Sequence, residues 1–312
     1  MARLEPLLRE LVHSGDAYLD EVARHLIEAG GKRLRPALAV AAATSGARPA
    51  TRDDLLGGAA VELVHLASLY HDDVMDEATM RRNVQSVNGR WGNLIAIVAG
   101  DFLLARSAEI AAGLGPEIAR LLANTLGQLC QGQVAEVHGA YRVERSEQEY
   151  EAAIAGKTAA LMATSCRIGA LTAGADPMQV EALTSFGRSF GMVFQLRDDI
   201  LDVVGTESEL GKPAGQDLAE GIYTLPVLIA LQLPQVGDEL RALLGQPLGQ
   251  PERDKARAIV ATSSAVVRAV KAGTRYVEQA TAAAGAVSDP TLARALGDLA
   301  RSTLDGLPVA ST

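Results

Sequence analysis

Aromatic side chains are scarce in this sequence: four Phe, six Tyr and one Trp make up 4% of 312 residues. Clusters of aromatic and β-branched residues, the usual sign of strands, are almost absent, and so is strict apolar/polar alternation. Cysteine is scarcer still. Cys130 and Cys166 sit in apolar helical patterns with no partner at metal-ligand spacing, which excludes a disulfide framework and a thiolate metal site. Basic residues are outnumbered 38 to 29, a net charge of −9. Nucleic acid and anionic membrane both need a basic footprint, so neither is the main partner. Nowhere do about 18 apolar residues run without a charge; Glu62 interrupts the best candidate, GGAAVELVHLASLY. No transmembrane segment is therefore expected. Acidic residues spread through the first 26 positions exclude a signal peptide, and a soluble, cytoplasmic protein is expected. Linkers and low-complexity stretches are also missing, which points to a single domain over 1–312.

What is present is helical. Proline is absent between Pro49 and Pro116, Pro116 and Pro177, and Pro177 and Pro213, and these intervals are rich in strong helix formers. Apolar residues recur at helical spacing, as in Leu55, Ala59, Leu63, Leu66 and Leu69, and again in Ile118, Leu121, Leu122, Thr125 and Leu129. The pattern predicts an all-α fold with helices near 4–29, 34–46, 52–78, 92–113, 115–140, 146–174, 178–205, 222–232, 237–246, 251–283 and 289–305. Several are apolar nearly all round and rich in alanine, as suits the centre of a large bundle.

Two acidic clusters carry the strongest chemical signal. His71-Asp72-Asp73-Val74-Met75-Asp76 recurs 126 positions later as Arg197-Asp198-Asp199-Ile200-Leu201-Asp202. On a helix, i and i+4 share a face, so Asp72 with Asp76 and Asp198 with Asp202 each form a short rim of carboxylates. Like charges on an apolar helix are unfavourable unless a cation neutralises them. Oxygen donors without His or Cys suit a hard ion, and Mg²⁺ typically takes a few carboxylates plus water and substrate phosphates. One such cluster could be a solvated acidic face; the repeat points to a metal site.

Cations complete the set. Lys32, Arg33 and Arg35 lie in GGKRLRP, Arg81-Arg82 follow the first cluster, and Lys157 and Lys212 each stand beside a glycine. Singly these read as surface cations. Together with the carboxylates they are what a diphosphate held by Mg²⁺ requires. The acidic balance, which at face value disfavours phosphorylated substrates, then says nothing against them, because local charge includes the ions.

With these residues in view, the chain resembles the trans-isoprenyl diphosphate synthases, or polyprenyl synthetase family. The matching stretches are GGKRLRP (30–36), ELVHLASLYHDDVMDEATMRR (62–82), AGDFLL (99–104), GKT (156–158), GMVFQLRDDILDVVG (191–205) and LGKPAGQDLAEGIYTLP (210–226). The resemblance implies an all-α bundle around a deep cavity, a homodimer, and head-to-tail joining of an allylic diphosphate to isopentenyl diphosphate. It implies Asp72, Asp76 and Asp198 as Mg²⁺ ligands. Asp73, Asp199 and Asp202 would support them, Asp202 as a further or water-mediated ligand. Lys32, Arg35, His65 and Arg82 are similar to contacts for isopentenyl diphosphate; Arg81, Lys157, Thr158, Gln195 and Lys212 to contacts for the allylic diphosphate. His71 reads as packing. Ile222 stands where many members carry a second lysine, so one cationic contact is absent or supplied elsewhere.

The resemblance also bears on product length. The growing tail would meet the residues one turn before Asp72, here Ala67 and Ser68, both small. Small side chains leave the way open and imply a long-chain product of roughly thirty carbons or more, with Phe102 or Leu63 as deeper stops. Tyr70, two before Asp72, should face elsewhere. A terpene cyclase would line its cavity with aromatic faces, which this chain lacks. A short-chain farnesyl or geranylgeranyl synthase, and a non-catalytic partner subunit of a heteromeric synthase, are the competing expectations; the intact second aspartate cluster speaks against the latter.

Overall fold

A computed structural model describes residues 3–44, 48–206 and 214–307. Helices carry about three quarters of them, as the periodicity predicts: α1 (Leu4–Leu11), α2 (Ala17–Glu28), α3 (Leu34–Ala43), α4 (Arg52–Met75), α5 (Val87–Trp91), α6 (Asn93–Leu114), α7 (Pro116–Gly139), α8 (Glu147–Ile154), a π-helical turn (Ala155–Ala159), α9 (Ala160–Thr172) and α10 (Pro177–Val204). Further helices follow at Gln216–Ala219, Leu225–Leu231, Gly237–Leu243, Gln250–Thr262, Ala265–Gly285 and Pro290–Ser302. Among the described residues the strands are β1 (Met80–Arg81) and β2 (Val84–Gln85), paired antiparallel with Met80 opposite Gln85.

The structure divides three of the expected helices. The expected 4–29 helix breaks at Gly15, whose φ of +88° no helix accommodates, and restarts at Asp16, whose carboxylate caps Tyr18 and Leu19. The 146–174 helix contains the π turn, and 251–283 breaks at Ser263, which turns to extended backbone. The β hairpin was not foreseen, since two-residue strands carry no periodic signal.

The chain forms two compact units. The first comprises Met1–Leu126 and Leu161–Thr184. Its core gathers α1, α2, α4 and α6 around Leu8, Leu26, Leu63, Leu66, Tyr70 and Leu103. Ala59, Ala60 and Ala67 on α4 and Ala96 and Ala99 on α6 are fully buried, and such small side chains let two helix axes approach closely. Ser107 donates to the Ala60 carbonyl at 2.7 Å across that seam. α4 starts at a capping box in which Thr51 and Asp54 bond each other's main chain.

Asp54 also holds Arg48 through both carboxylate oxygens, at 2.7 and 3.0 Å. Burial alone would push its carboxyl up; Arg48 and the Thr51 main chain outweigh burial and hold it down at about 2. A depressed carboxyl stabilises the fold above its unfolded pKa near 3.8, and that contribution is lost as pH falls towards 2. Asp54→Asn is therefore expected to cost on the order of 2 kcal/mol at neutral pH. Urea midpoints of the two proteins should converge as pH is lowered from 5 to 2.

The second unit comprises Gly127–Ala160 and Ser185–Thr312. At its centre lies the helix Leu225–Leu231, every residue of which is buried. Around it pack Tyr150, Leu196, Ile200, Tyr223, Leu240, Val260 and Val266. Each fully buried Leu or Val contributes about 1.5–3 kcal/mol of transfer free energy. None of the described helices is long and apolar enough to cross a membrane.

Candidate active site

Both acidic clusters close long helices. In the first unit Asp72 and Asp73 lie in the last turn of α4, with Asp76 as its C-cap; no basic residue shares that turn. In the second unit Asp198, Asp199 and Asp202 occupy the last turns of α10, again without a basic residue in the final turn. A helix C-terminus carries the negative end of the macrodipole, so carboxylates gathered there are unfavourable twice over, with the dipole and with one another.

Within each cluster the three carboxylates are not equivalent. Asp72 is half-buried and Asp76 exposed, whereas Asp73 is fully buried. Arg81 grips Asp73 Oδ1 through Nε at 2.7 Å and Nη2 at 2.6 Å. Asp73 Oδ2 is buried without a hydrogen-bond partner. Burial pushes the Asp73 carboxyl up, and Arg81 pulls against it. In the second cluster Asp198 is exposed and Asp199 buried. Asp199 accepts from the Tyr150 hydroxyl and from Gln195 Nε2 at 2.8 Å, and Thr158 Oγ1 donates to Gln195 Oε1 at 2.7 Å. Burial drives the Asp199 carboxyl up, with Asp198 and Glu136 adding to the shift. Asp202 is buried too; its two oxygens accept the main-chain N–H of Gln216 and Asp217 at 3.3 and 3.2 Å, capping the Gln216–Ala219 helix.

The cations of the first unit converge on His65. The β1–β2 turn puts Arg82 and Asn83 both in the left-handed region (φ 53° and 63°), as a two-residue hairpin demands. Arg82 thereby reaches back to the carbonyls of Leu26, at 3.1 Å, and Gly30. Gly31 lies against the Arg82 guanidinium, and its φ of +146° is a backbone conformation that a side-chain-bearing residue rarely adopts. Burial depresses the His65 ring well below its usual pKa, and Arg35, Arg82, Arg33 and Arg81 add to that. A neutral imidazole amid four guanidinium groups results. Lys32 is exposed on the adjacent turn.

In the second unit Lys157 and Thr158 ride on the π turn. That turn packs against α7 where Gly132 faces Gly156; a Cβ on Gly132 would collide with the main-chain nitrogen of Lys157. Lys157 Nζ pairs with Glu136, one turn further along α7. Arg145 is buried with its guanidinium 5.8 Å from the Tyr150 ring centre.

Thus Arg35, His65, Asp73, Arg81 and Arg82 gather in the first unit, and Lys157, Thr158, Gln195 and Asp199 in the second. Lys212 lies outside the described residues. Ile222 is half-buried, its N–H bonded to the Asp217 carbonyl at 2.8 Å. Ala67 is fully buried, Ser68 bonds the His65 carbonyl at 2.8 Å, and Tyr70 turns away to donate to the Val22 carbonyl at 2.7 Å. His71 leans on α6, with Nε2 3.3 Å from the Ile97 carbonyl. Sequence reasoning missed Glu136, Tyr150 and Glu62. A glycine breaking a long helix pattern one turn before Glu136 was the one available signal.

The donor set fits a hard divalent cation. In each unit it is all oxygen and ends a helix, and in the first unit it includes the orphaned Asp73 Oδ2. Among the described residues no three His, Cys, Asp or Glu side chains form a ready-made cage. An ion here needs oxygens from elsewhere, as Mg²⁺ does when it is held by one or two carboxylates and substrate phosphates.

In each unit of this all-α scaffold a long helix ends in a carboxylate cluster, and in the first unit guanidinium groups surround a neutral histidine. The polyprenyl synthetase family profile matches residues 16–262, and this chain belongs to that family. It is 38% identical over 308 residues to the nonaprenyl diphosphate synthase of Mycobacterium tuberculosis, covering 97% of this chain and 91% of that protein. It is 41% identical over 310 residues to heptaprenyl diphosphate synthase component 2 of Geobacillus stearothermophilus, covering 99% and 90%. The polyprenyl synthase of Caulobacter crescentus, solved with calcium and isoprenyl diphosphate, superposes with a TM-score of 0.90 at 33% identity, covering 97% of this chain and 93% of that one. The chain is an enzyme of the prenyltransferase class.

Proposed function

We propose that this protein is a Mg²⁺-dependent, cytoplasmic trans-polyprenyl diphosphate synthase, working as a single catalytic domain and a homodimer. It condenses an allylic diphosphate with isopentenyl diphosphate, head to tail, to long chains. The observation that carries the reading is the pair of carboxylate clusters, each at the end of a helix whose last turn lacks a basic residue. Apolar Leu94, Ile97 and Val98, exposed on α6, support self-association.

Asp72, Asp76 and Asp198 would hold Mg²⁺, with Asp73, Asp199 and Asp202 as their support. When bound, the ion supplies positive charge against the diphosphate oxygens. In the reaction the allylic C–O bond breaks with its electron pair leaving on diphosphate. The double bond of isopentenyl diphosphate then forms the new C–C bond, and a proton is lost to the departed diphosphate. Arg81 and Lys157 stand ready for the developing charge, each held by a carboxylate, Asp73 and Glu136, that fixes its direction. With Lys212 they are assigned to the allylic diphosphate, together with Thr158 and Gln195. Lys32, Arg35, His65 and Arg82 are assigned to isopentenyl diphosphate. His65, kept neutral by burial and cations, donates or accepts a hydrogen bond without adding charge. Ile222 leaves one contact fewer on the allylic side, so weaker primer binding accompanies intact catalysis.

Ala67 and Ser68 as a small-residue floor support a long product, as do relatives named for nonaprenyl and heptaprenyl chains. Incubation with farnesyl diphosphate, labelled isopentenyl diphosphate and Mg²⁺, followed by chain sizing, tests this. Label is expected in chains of roughly thirty carbons or more, shortened by Ala67→Phe. Products stopping at geranylgeranyl length would make it a short-chain synthase, and absence of label would leave a non-catalytic subunit or a cyclase.

A further inference from the structure

The turn before α3 hides one arginine between two cations assigned to substrate. Lys32 is exposed and Arg35 half-buried, but Arg33 between them is buried. Its guanidinium is spent entirely on the protein. Nη1 donates to Glu62 at 2.6 Å, Nε to Glu5 at 2.7 Å, and Nη2 to the Ile27 carbonyl at 2.8 Å. Glu62 is buried as deeply as its partner. The Arg33 backbone is left-handed, with φ 48° and ψ 37°, a region that a non-glycine residue occupies only where its surroundings over-determine it.

Arg82 closes on the same turn from the other side, through the carbonyls of Leu26 and Gly30. Both carboxylates, Glu5 and Glu62, bond the Arg33 guanidinium, whereas Arg82 bonds main-chain carbonyls. Glu62 sits on α4 three residues before His65 and ten before Asp72. A single buried group therefore ties the turn to the helix that carries both. Buried ion pairs contribute little net stability compared with apolar packing of the same volume. What this one contributes is direction: with Arg33 drawn inward and its backbone left-handed, Lys32 is left exposed on one side and Arg35 is left half-buried near His65 on the other.

We propose that Arg33 is a positioning residue for isopentenyl diphosphate, touching no substrate but holding the Gly30–Arg35 turn in register with His65 through Glu62 and Glu5. The proposal rests on the assignment of Lys32 and Arg35 to that substrate. The test compares Arg33→Met, Arg33→Lys and Glu5→Gln with wild type and with Lys32→Ala. KM is measured for isopentenyl diphosphate and for farnesyl diphosphate, each with the other saturating, alongside the thermal midpoint. Arg33→Met should raise KM for isopentenyl diphosphate about tenfold or more, since small misplacement of a binding group costs that much. KM for farnesyl diphosphate should stay at its wild-type value. Arg33→Lys should fall between, because an ammonium cannot span three fixed acceptors. Glu5→Gln, which leaves the Glu62 pair intact, should move KM in the same sense by less. If Arg33→Met does not fold, the lysine and Glu5 variants decide. A lower thermal midpoint with neither KM changed, or with both raised together, overturns the proposal. A shift with Lys32→Ala but with none of the Arg33 and Glu5 variants overturns it while sparing the substrate assignment. No shift with Lys32→Ala sinks both.

Discussion

Asparagine at both Asp72 and Asp76 is expected to lower turnover about 10³-fold while leaving the metal-free fold standing. The end of α4 holds three carboxylates, of which the buried Asp73 is gripped by Arg81. Replacing the other two removes the oxygens that would hold the ion. Asp72 is half-buried and Asp76 exposed, so the amides meet no packing barrier. Thermal unfolding in EDTA and initial rates at saturating Mg²⁺ check both halves. A fall in the thermal midpoint alongside the fall in rate would mean that these carboxylates hold the fold together, contrary to the argument. Asp198 at the end of α10 is open to the same reasoning.

Arg81→Met should cost about 3–5 kcal/mol of stability. Asp73 is fully buried, one oxygen is bonded only to Arg81, and the other has no hydrogen-bond partner. Without Arg81 a buried carboxylate stands uncompensated, and it escapes by taking up a proton. Burial already pushes this carboxyl up, and the substitution removes the group that pulls it back. A carboxyl raised in the folded state favours folding at low pH and costs stability as pH rises through its folded value. The deficit of Arg81→Met should therefore be larger at pH 8 than at pH 5, measured by denaturant unfolding in EDTA. Asp73→Asn in the same background should restore stability without restoring turnover. A deficit that does not change with pH would show that the loss comes from the packing of the arginine stem.

The long helices were legible because they are local. The 3.6-residue period and the spacing of prolines place α4, α6, α7 and α10 within a few residues of where they lie. The failures are local conflicts that periodicity averages over. Gly15 and the Asp16 cap interrupt an apolar stripe that otherwise runs on from α1 to α2. The extra residue of the π turn leaves an apolar pattern that still reads as helix across 155–159. The two-residue strands around Arg82 and Asn83 are too short to register any pattern.

For the candidate site the division is sharper. The two carboxylate clusters, the glycine-flanked cations and the scarcity of aromatics were readable by spacing and composition alone, and with them the family and the class of reaction. The scarcity of aromatics decided more than the net charge did, since it bears on what a cavity can stabilise. Only the tertiary structure decided which aspartate of each cluster is buried. Asp73 goes to Arg81, Asp199 to Tyr150 and Gln195, and Asp202 to the start of the next helix. It also decided that Arg33 turns inward to Glu5 and Glu62, partners 28 and 29 positions away. Spacing determines which charges share a helix face, because that depends on residues a few positions apart. Which of them is desolvated, and by whom it is paired, depends on what packs against that face from far along the chain.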